Sequence, residues 1–399
     1  MLSNKIGRLI LRLVVNTDYI EIKLNTDSSS CSKPLCISAP PVHIAILIFL
    51  FPRYWIPESY CRGHWVNIRG ELCEIISTAL SNAYLFYKIY LKILELLPSF
   101  RHILKQRLLT RHFTRKTKIH YDIDAEIYRL FLDKEMVYTC AFFEEGDTLE
   151  IAQSRKFEKI MSRLALDQSA NNILNIGTGW SSFERFIVKK NPNVLVTGLS
   201  ISKEQIEWAK EYNLKQLTSE QYRRIILLVE DYLKHSPSYQ YDAICVIGMI
   251  EHVGLSGYRE FFQKCAKLLK PGAKLLVHTI IEAKDRRKTS SWLDQKIFPG
   301  GYIPSISELT KGSQKAPLII NNIFIHNADN YYKTLSEWET RLRNNKDKII
   351  SIYTEKLGHS NKFSNYLYHQ WEIYLAGCKT RFHGKQDTLQ VGQFVFEKI

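Results

Sequence analysis

The sequence predicts an α/β protein: a Rossmann-like, doubly wound parallel sheet in the C-terminal part of the chain, with a smaller N-terminal domain. Three observations carry this. From residue 171 onward, short apolar strands alternate with amphipathic helical stretches, the pattern of parallel βαβ units. The first of those strands ends in a glycine turn, Gly177 and Gly179, with a helical pattern close behind. The chain has 399 residues, 45% of them apolar and 24% charged, so it can bury at least one full core. At roughly 150 residues per domain, two to three domains are expected.

The elements follow in order. Residues 1–100 are irregular: 25–33 is rich in Ser, Asp and Asn and reads as a loop, 44–51 as a buried strand or helix, and 71–100 as an apolar helical stretch ending near Pro98. Strands are expected at 172–176, 194–198, 225–229, 242–247 and 274–279. Helices are expected at 183–190, 203–212 and 257–269, the last halted by Pro271 and Gly272. Residues 281–320 read as a long insertion, 331–343 and 363–379 as helices, and 390–397 as a final strand. In doubly wound sheets, ligands sit at the C-terminal ends of the strands.

Lys and Arg number 55 against 40 Asp and Glu, a net charge of +15 that favours anionic surfaces. The eight cysteines include no C-x-x-C pair, so no disulfide framework and no zinc site are expected, and the chain suits a reducing cytosol. Lys5, Arg8 and Arg12 precede no unbroken apolar segment of signal-peptide type. The longest apolar run, 44–51, is far short of the ~20 residues that span a bilayer. A soluble protein, at most peripheral to a membrane, is expected. The stretch RHILKQRLLTRHFTRKTK (101–118) contains no acid and places Ile103, Leu104, Leu108, Leu109 and Phe113 roughly on one helical face. It reads as a solvated linker helix or as a helix lying on an anionic membrane.

The strand ends carry the chemistry. NILNIGTGW (172–180) presents the glycine pair, which lets the backbone approach a ligand closely but serves equally as a tight strand-to-helix turn. The other strand ends are VTGLSISKEQ (196–205), VEDY (229–232) and IGMIEHVG (247–254). Together they resemble a class I S-adenosylmethionine (SAM)-dependent methyltransferase. HYDIDAEIYRLFLDKEMVYTCAFFEEG (120–146), LKPGAKLLVHTI (269–280), IFPGGYIPSISELT (297–310), YYKTLSEWETR (331–341) and LAGCKTRFHGKQDTLQVGQFVFEK (375–398) sharpen the match. In order and spacing they resemble the cyclopropane-fatty-acyl-phospholipid synthase family, which includes mycolic acid cyclopropane synthases. IPESYCRGHWVNIRGELCEI (56–75) resembles that family's N-terminal domain.

The resemblance implies an N-terminal lipid-binding-like domain over 1–100, a basic linker helix over 101–119 and a SAM-dependent catalytic domain over 120–399. It also implies transfer of the SAM methyl to the cis double bond of a phospholipid acyl chain, forming a cyclopropane fatty acid, with bound bicarbonate as the base. The bicarbonate cradle matches Cys140, Glu251, His278, the backbone of Ile280 and Tyr331. Each has a structural alternative: a core cysteine, a carboxylate capping the segment after a strand, a satisfied core histidine, an aromatic at a helix start. The chemistry is nonetheless coherent, since bicarbonate has one donor and several acceptor oxygens and so needs mixed partners. Positions matching the SAM site are Tyr138, Gly177, Gly179, Ser200, Ile201, Gln205, Asp231 and Tyr232. Ser200 and Gln205 are expected at the ribose or methionine end, and Asp231 and Tyr232 beside the adenine.

The chain departs from the family at the glycine loop. Asn175 stands where the family has an acid that helps hold the SAM amino group, Thr178 where it has Cys, and Ser181 and Ser182 where it has Gly-Gly. Weakened SAM binding is expected, tightened by Asn175→Asp with Ser181→Gly. Two other readings remain open: a small-amine N-methyltransferase, and a membrane-associated relic that has lost SAM binding. The expected partner is an anionic phospholipid surface and not nucleic acid, a homodimer is compatible, and the expected location is the cytoplasm, peripherally on the membrane.

Overall fold

A computed structural model describes residues 2–24, 30–82, 124–166, 172–283, 290–382 and 389–399. The basic stretch 101–118 and most of the apolar stretch 71–100 lie outside the described residues. Contacts divide the chain into two units. One comprises the described residues within Met1–Lys105, Ser290–Ile297 and Trp338–His383, the other those within Gln106–Thr289, Phe298–Glu337 and Gly384–Ile399. This differs from the boundaries expected from sequence, because 290–297 and 338–383 group with the N-terminal residues.

In the first unit, β1 (Ile20–Lys23) runs parallel to β2 (Leu35–Ser38), which pairs antiparallel with β3 (Asn67–Arg69). The apolar run read as strand or helix is a helix, Val42–Leu50. Helices Pro52–Cys61, Leu72–Ser81, Ser291–Lys296 and Asn361–Thr380 complete most of the unit. The fully buried carboxylate of Glu58 accepts from Trp292 Nε1 at 3.1 Å, the Tyr366 hydroxyl at 3.0 Å and Arg62 Nε at 2.8 Å. Burial of such a charge is tolerated because several donors converge on it.

The second unit holds a seven-stranded sheet of β4 (Asn172–Ile176), β5 (Leu195–Ser200), β6 (Ile225–Val229), β7 (Tyr241–Ile247), β8 (Leu269–Glu282), β9 (Leu318–His326) and β10 (Leu389–Lys398). Their spatial order is β6-β5-β4-β7-β8-β10-β9. The pairs from β6 through β8 are parallel, as the alternating pattern predicts, and β10 lies antiparallel between β8 and β9. Alternate residues serve opposite faces. Leu174, Ile176, Ile244 and Val246 pack with Phe261, Phe262 and Cys265 of helix Tyr258–Leu268. Ile173, Ala243, Cys245 and Leu276 pack with Phe157 and Ile160 of helix Leu149–Leu164 and with Phe183 and Ile187 of helix Ser182–Lys190. Residues 281–320 are not one insertion: they include helices Ser291–Lys296 and Ile306–Ser313 and the start of β9. β9 escapes prediction because as an edge strand it leaves much of its length exposed, so neither face shows a clean alternation. The chain order reverses around β4, flanked by β5 and β7, which sets a crevice at the C-terminal ends of these strands.

Candidate active site

That crevice opens into a cavity of about 240 Å³ lined by the glycine loop, by the ends of β5, β6 and β7, and by residues 136–139. All eight expected SAM positions line it: Tyr138, Gly177, Gly179, Ser200, Ile201, Gln205, Asp231 and Tyr232. The loop must pass tightly here. Gly177 has φ +87°, and a Cβ there would sit 2.7 Å from the Met249 side chain. Its amide and that of Thr178 both donate to the Leu199 carbonyl at 2.9 Å, binding the loop to β5. Ser200 Oγ donates to Gln205 Oε1 at 3.1 Å, and Ser202 caps the helix Lys203–Gln216 by accepting from the Gln205 amide. His252 also lines the cavity, and burial pushes its imidazole down to about 4, so it is neutral there.

The departures from the family pattern find local partners. Asn175 Nδ2 donates at 2.8 Å to Oε1 of Glu184, and the Thr178 hydroxyl donates to the same oxygen. Glu184 is fully buried, its Oε2 has no hydrogen-bond partner, and burial raises its pKa against the lowering effect of those two bonds. The room for this cluster is made by Gly198, where a Cβ would lie 2.7 Å from both Glu184 Oε1 and Thr178 Oγ1. Asn175 lines the cavity, and its Oδ1 is buried with no hydrogen-bond partner. A carboxylate therefore stands one hydrogen bond behind the position where the sequence lacks one. Sequence reasoning missed Glu184, although its four-residue spacing from buried Val188 puts it on a buried side of its helix.

The serines are also engaged. Ser181 adopts φ +61°, in the region that favours glycine, at a cost of about 1–2 kcal/mol. Its hydroxyl accepts from Asn213 Nδ2 at 3.2 Å, and Ser182 Oγ donates to the Glu135 carbonyl at 2.6 Å. Buried Arg185 ties the same parts together, donating to the Trp180 carbonyl, to Asn213 Oδ1 and to Glu135. Trp180 in turn packs against Tyr128 and Trp208, and Tyr128 packs against Tyr138.

The five expected cradle residues are all in this unit and none lines the cavity itself. Two are joined directly: the Ile280 amide donates to Glu251 Oε1 at 3.0 Å, as does the Thr279 hydroxyl at 2.6 Å. Glu251 Oε2 is buried without a hydrogen-bond partner, and burial raises this carboxyl's pKa. Cys140 follows cavity residues Tyr138 and Thr139, and burial pushes its thiol up to about 12, so it is no thiolate nucleophile. Thr334 accepts from the Ala141 amide at 3.0 Å, and Asn330 Oδ1 accepts from the Phe143 amide at 2.7 Å. These bonds tie the helix that carries Tyr331 to the segment that carries Cys140. His278 on β8 lies 5.8 Å, ring to ring, from Phe142 of that same segment.

Lys156 was not foreseen. It is fully buried and donates to Thr139 Oγ1 at 2.6 Å and Gln153 Oε1 at 2.8 Å. Burial pushes its ammonium down to about 7, opposed by Cys140 and Asp133 nearby. The signal was present: Lys156 falls on the stripe of Leu149, Ala152, Phe157, Ile160 and Leu164, where a charge is out of place.

Residues 109–394 match the mycolic acid cyclopropane synthetase family. Cyclopropane mycolic acid synthase 3 of Mycobacterium tuberculosis is 31% identical over 307 residues, covering 73% of this chain and 99% of that protein. Cyclopropane-fatty-acyl-phospholipid synthase of Escherichia coli is 29% identical over 281 residues, covering 70% of this chain and 67% of that protein. The crystal structure of mycolic acid cyclopropane synthase CmaA1 complexed with SAH and CTAB is 28% identical, with a TM-score of 0.60 over 72% of this chain and 98% of that one. With its seven-stranded sheet and the cavity at the β4 switch point, the chain belongs to the mycolic acid cyclopropane synthetase family and is a SAM-dependent methyltransferase of class I fold.

Proposed function

We propose that this enzyme transfers the SAM methyl to the cis double bond of an unsaturated phospholipid acyl chain and closes a cyclopropane ring, using bicarbonate as the base. One observation carries the reading beyond methyl transfer in general: Glu251 commits one oxygen to Ile280 and Thr279 and keeps the other buried and unpartnered. A buried carboxylate oxygen without a donor is costly, and the O–H of a bicarbonate would satisfy it. SAM supplies an electrophilic methyl, and bicarbonate supplies the acceptor for the proton lost as the ring closes. The protein's own part is positional. Asn175, oriented by Glu184, offers its carbonyl oxygen to the SAM ammonium. Tyr232 and Asp231 flank the adenine, and Ser200 and Gln205 hold the ribose or methionine end. Cys140, His278 and Tyr331 complete the cradle with Glu251 and the Ile280 amide.

The lipid would be met at an anionic membrane surface from the cytoplasmic side, with the N-terminal unit as the lipid-facing domain. Among the described residues, no helix is long and apolar enough to cross a bilayer.

The test is expression in a bacterium lacking cyclopropane lipids, with acyl chains read by mass spectrometry. Chains one methylene heavier are expected, with a ring in place of the double bond. Glu251→Gln is expected to bind SAM normally in calorimetry and to lose roughly 10²–10³ in turnover. Unchanged turnover would remove bicarbonate from the account, and unmodified lipids with folded, SAM-binding protein would remove the acyl-chain reaction.

A further inference from the structure

His278, Gln393 and Phe324 lie side by side across the sheet. Gln393 on β10 is in register with His278 on β8, and Phe324 on β9 is in register with Gln393. Side chains at directly opposed positions share a face. Helix Leu149–Leu164 packs on this face through Phe157, Ile160 and Leu164 against Leu276 and Val395, and it brings Arg163 over the Phe324 ring at 3.7 Å. Arg163 Nη1 donates to Gln393 Oε1 and lies 3.1 Å from His326 Nε2. Gln393 Nε2 is 3.1 Å from His278 Nδ1. Gln393 is fully buried and His278 nearly so.

Donor and acceptor roles then follow in one direction. A guanidinium only donates, so the oxygen of the Gln393 amide must face Arg163. Its NH2 group, which also only donates, is left facing Nδ1 of His278. Nδ1 must therefore be the bare, accepting nitrogen. Burial, and after it the neighbouring Lys156, His326 and Arg163, hold His278 well below its ordinary pKa and keep the ring neutral. A neutral imidazole with a bare Nδ1 carries its proton on Nε2.

We propose that Arg163 and Gln393 are positioning residues that lock His278 in the tautomer protonated on Nε2. This rests on the placement of His278 in the cradle and extends it. His278 serves there as an N–H donor to a bound oxyanion, and Nε2 has no lone pair with which to take the substrate's proton. The base must be another group. The same guanidinium fixes the opposite tautomer at His326, whose Nε2 accepts from Arg163 and whose proton is thus on Nδ1.

The experiment is a long-range ¹H–¹⁵N correlation spectrum of the full chain labelled with ¹⁵N-histidine, with His278 assigned by loss of its signals in His278→Asn. His278 is expected to show a bare Nδ1 and a protonated Nε2, and His326 the reverse. In Gln393→Glu the carboxylate keeps Arg163 and offers an oxygen to Nδ1, so Nδ1 should gain a proton. A native His278 protonated on Nδ1 overturns the lock without need of any variant, as does Gln393→Glu leaving Nδ1 bare. Turnover on lipid in the same samples is expected to fall roughly 10²-fold in Gln393→Glu. A moved proton with unchanged turnover would uphold the lock and instead remove His278 from the proposed cradle.

Discussion

Asn175 shows how one neighbour changes what a substitution does. Sequence alone predicts that Asn175→Asp with Ser181→Gly tightens SAM binding. Glu184 Oε1 lies 2.8 Å from the Asn175 amide, so an aspartate at 175 would place two carboxylates in one buried site. One of them must then take up a proton. The expected outcome of Asn175→Asp alone is a weaker SAM complex, by about ten- to hundredfold, the worth of one charge-assisted hydrogen bond of ~1.5–3 kcal/mol. Adding Glu184→Gln restores a single carboxylate and is expected to recover affinity. Calorimetry showing tighter binding in the single variant, or no recovery in the double one, would contradict the role given to Glu184. Ser181→Gly removes a strained φ but also the bond from Asn213, and is expected to change little.

Helix Leu149–Leu164 joins the core to the segment that carries Cys140, because its buried stripe includes Gln153 and Lys156, which both donate to Thr139, as well as aliphatic residues. An unfolded lysine holds its proton up to the ordinary range, whereas the folded Lys156 loses it at about 7. The unfolded chain thus binds the extra proton between about 7 and 10.5, and native stability rises with pH across that window. Lys156→Met removes this dependence. The stability of the native protein relative to the variant is expected to improve as pH is raised from about 7 toward 10, measured by denaturant unfolding at each pH. A flat difference would mean that the buried ammonium is not destabilised. The parallel strands and the helices Ser182–Lys190, Lys203–Gln216 and Tyr258–Leu268 were legible because their periodicities are regular and their turns carry glycine, whereas helix Leu149–Leu164 was not among the expected elements. Of the positions expected at the SAM site, Gly177 was legible from its own residue type because its backbone conformation demands glycine, and the others through the family resemblance. Gln393 was not legible, because it acts through partners far away in sequence, His278 and Arg163, and Glu184 and Lys156 were missed although each lies on the buried side of its helix. Edge strand β9 was hidden by its exposure.

At the scale of the molecule, charge and lipid chemistry meet. The excess of +15 includes the acid-free stretch 101–118, whose contribution near an anionic surface is about 1 kcal/mol per basic residue and is screened by salt. Binding to vesicles containing anionic phospholipid is expected to weaken steeply with salt, and neutralising Lys105, Arg107, Arg111 and Arg115 is expected to mimic high salt. Salt-independent binding would instead make this stretch a linker. The most direct test of the central claim follows the methyl carbon itself. Purified protein is incubated with SAM carrying a ¹³C methyl group and vesicles of cis-unsaturated phospholipid, and the lipids are examined by ¹³C NMR. The account predicts label in the ring methylene of a cyclopropane within the acyl chain. Label on a head-group nitrogen, or no label in the lipid while SAM is bound, would contradict it.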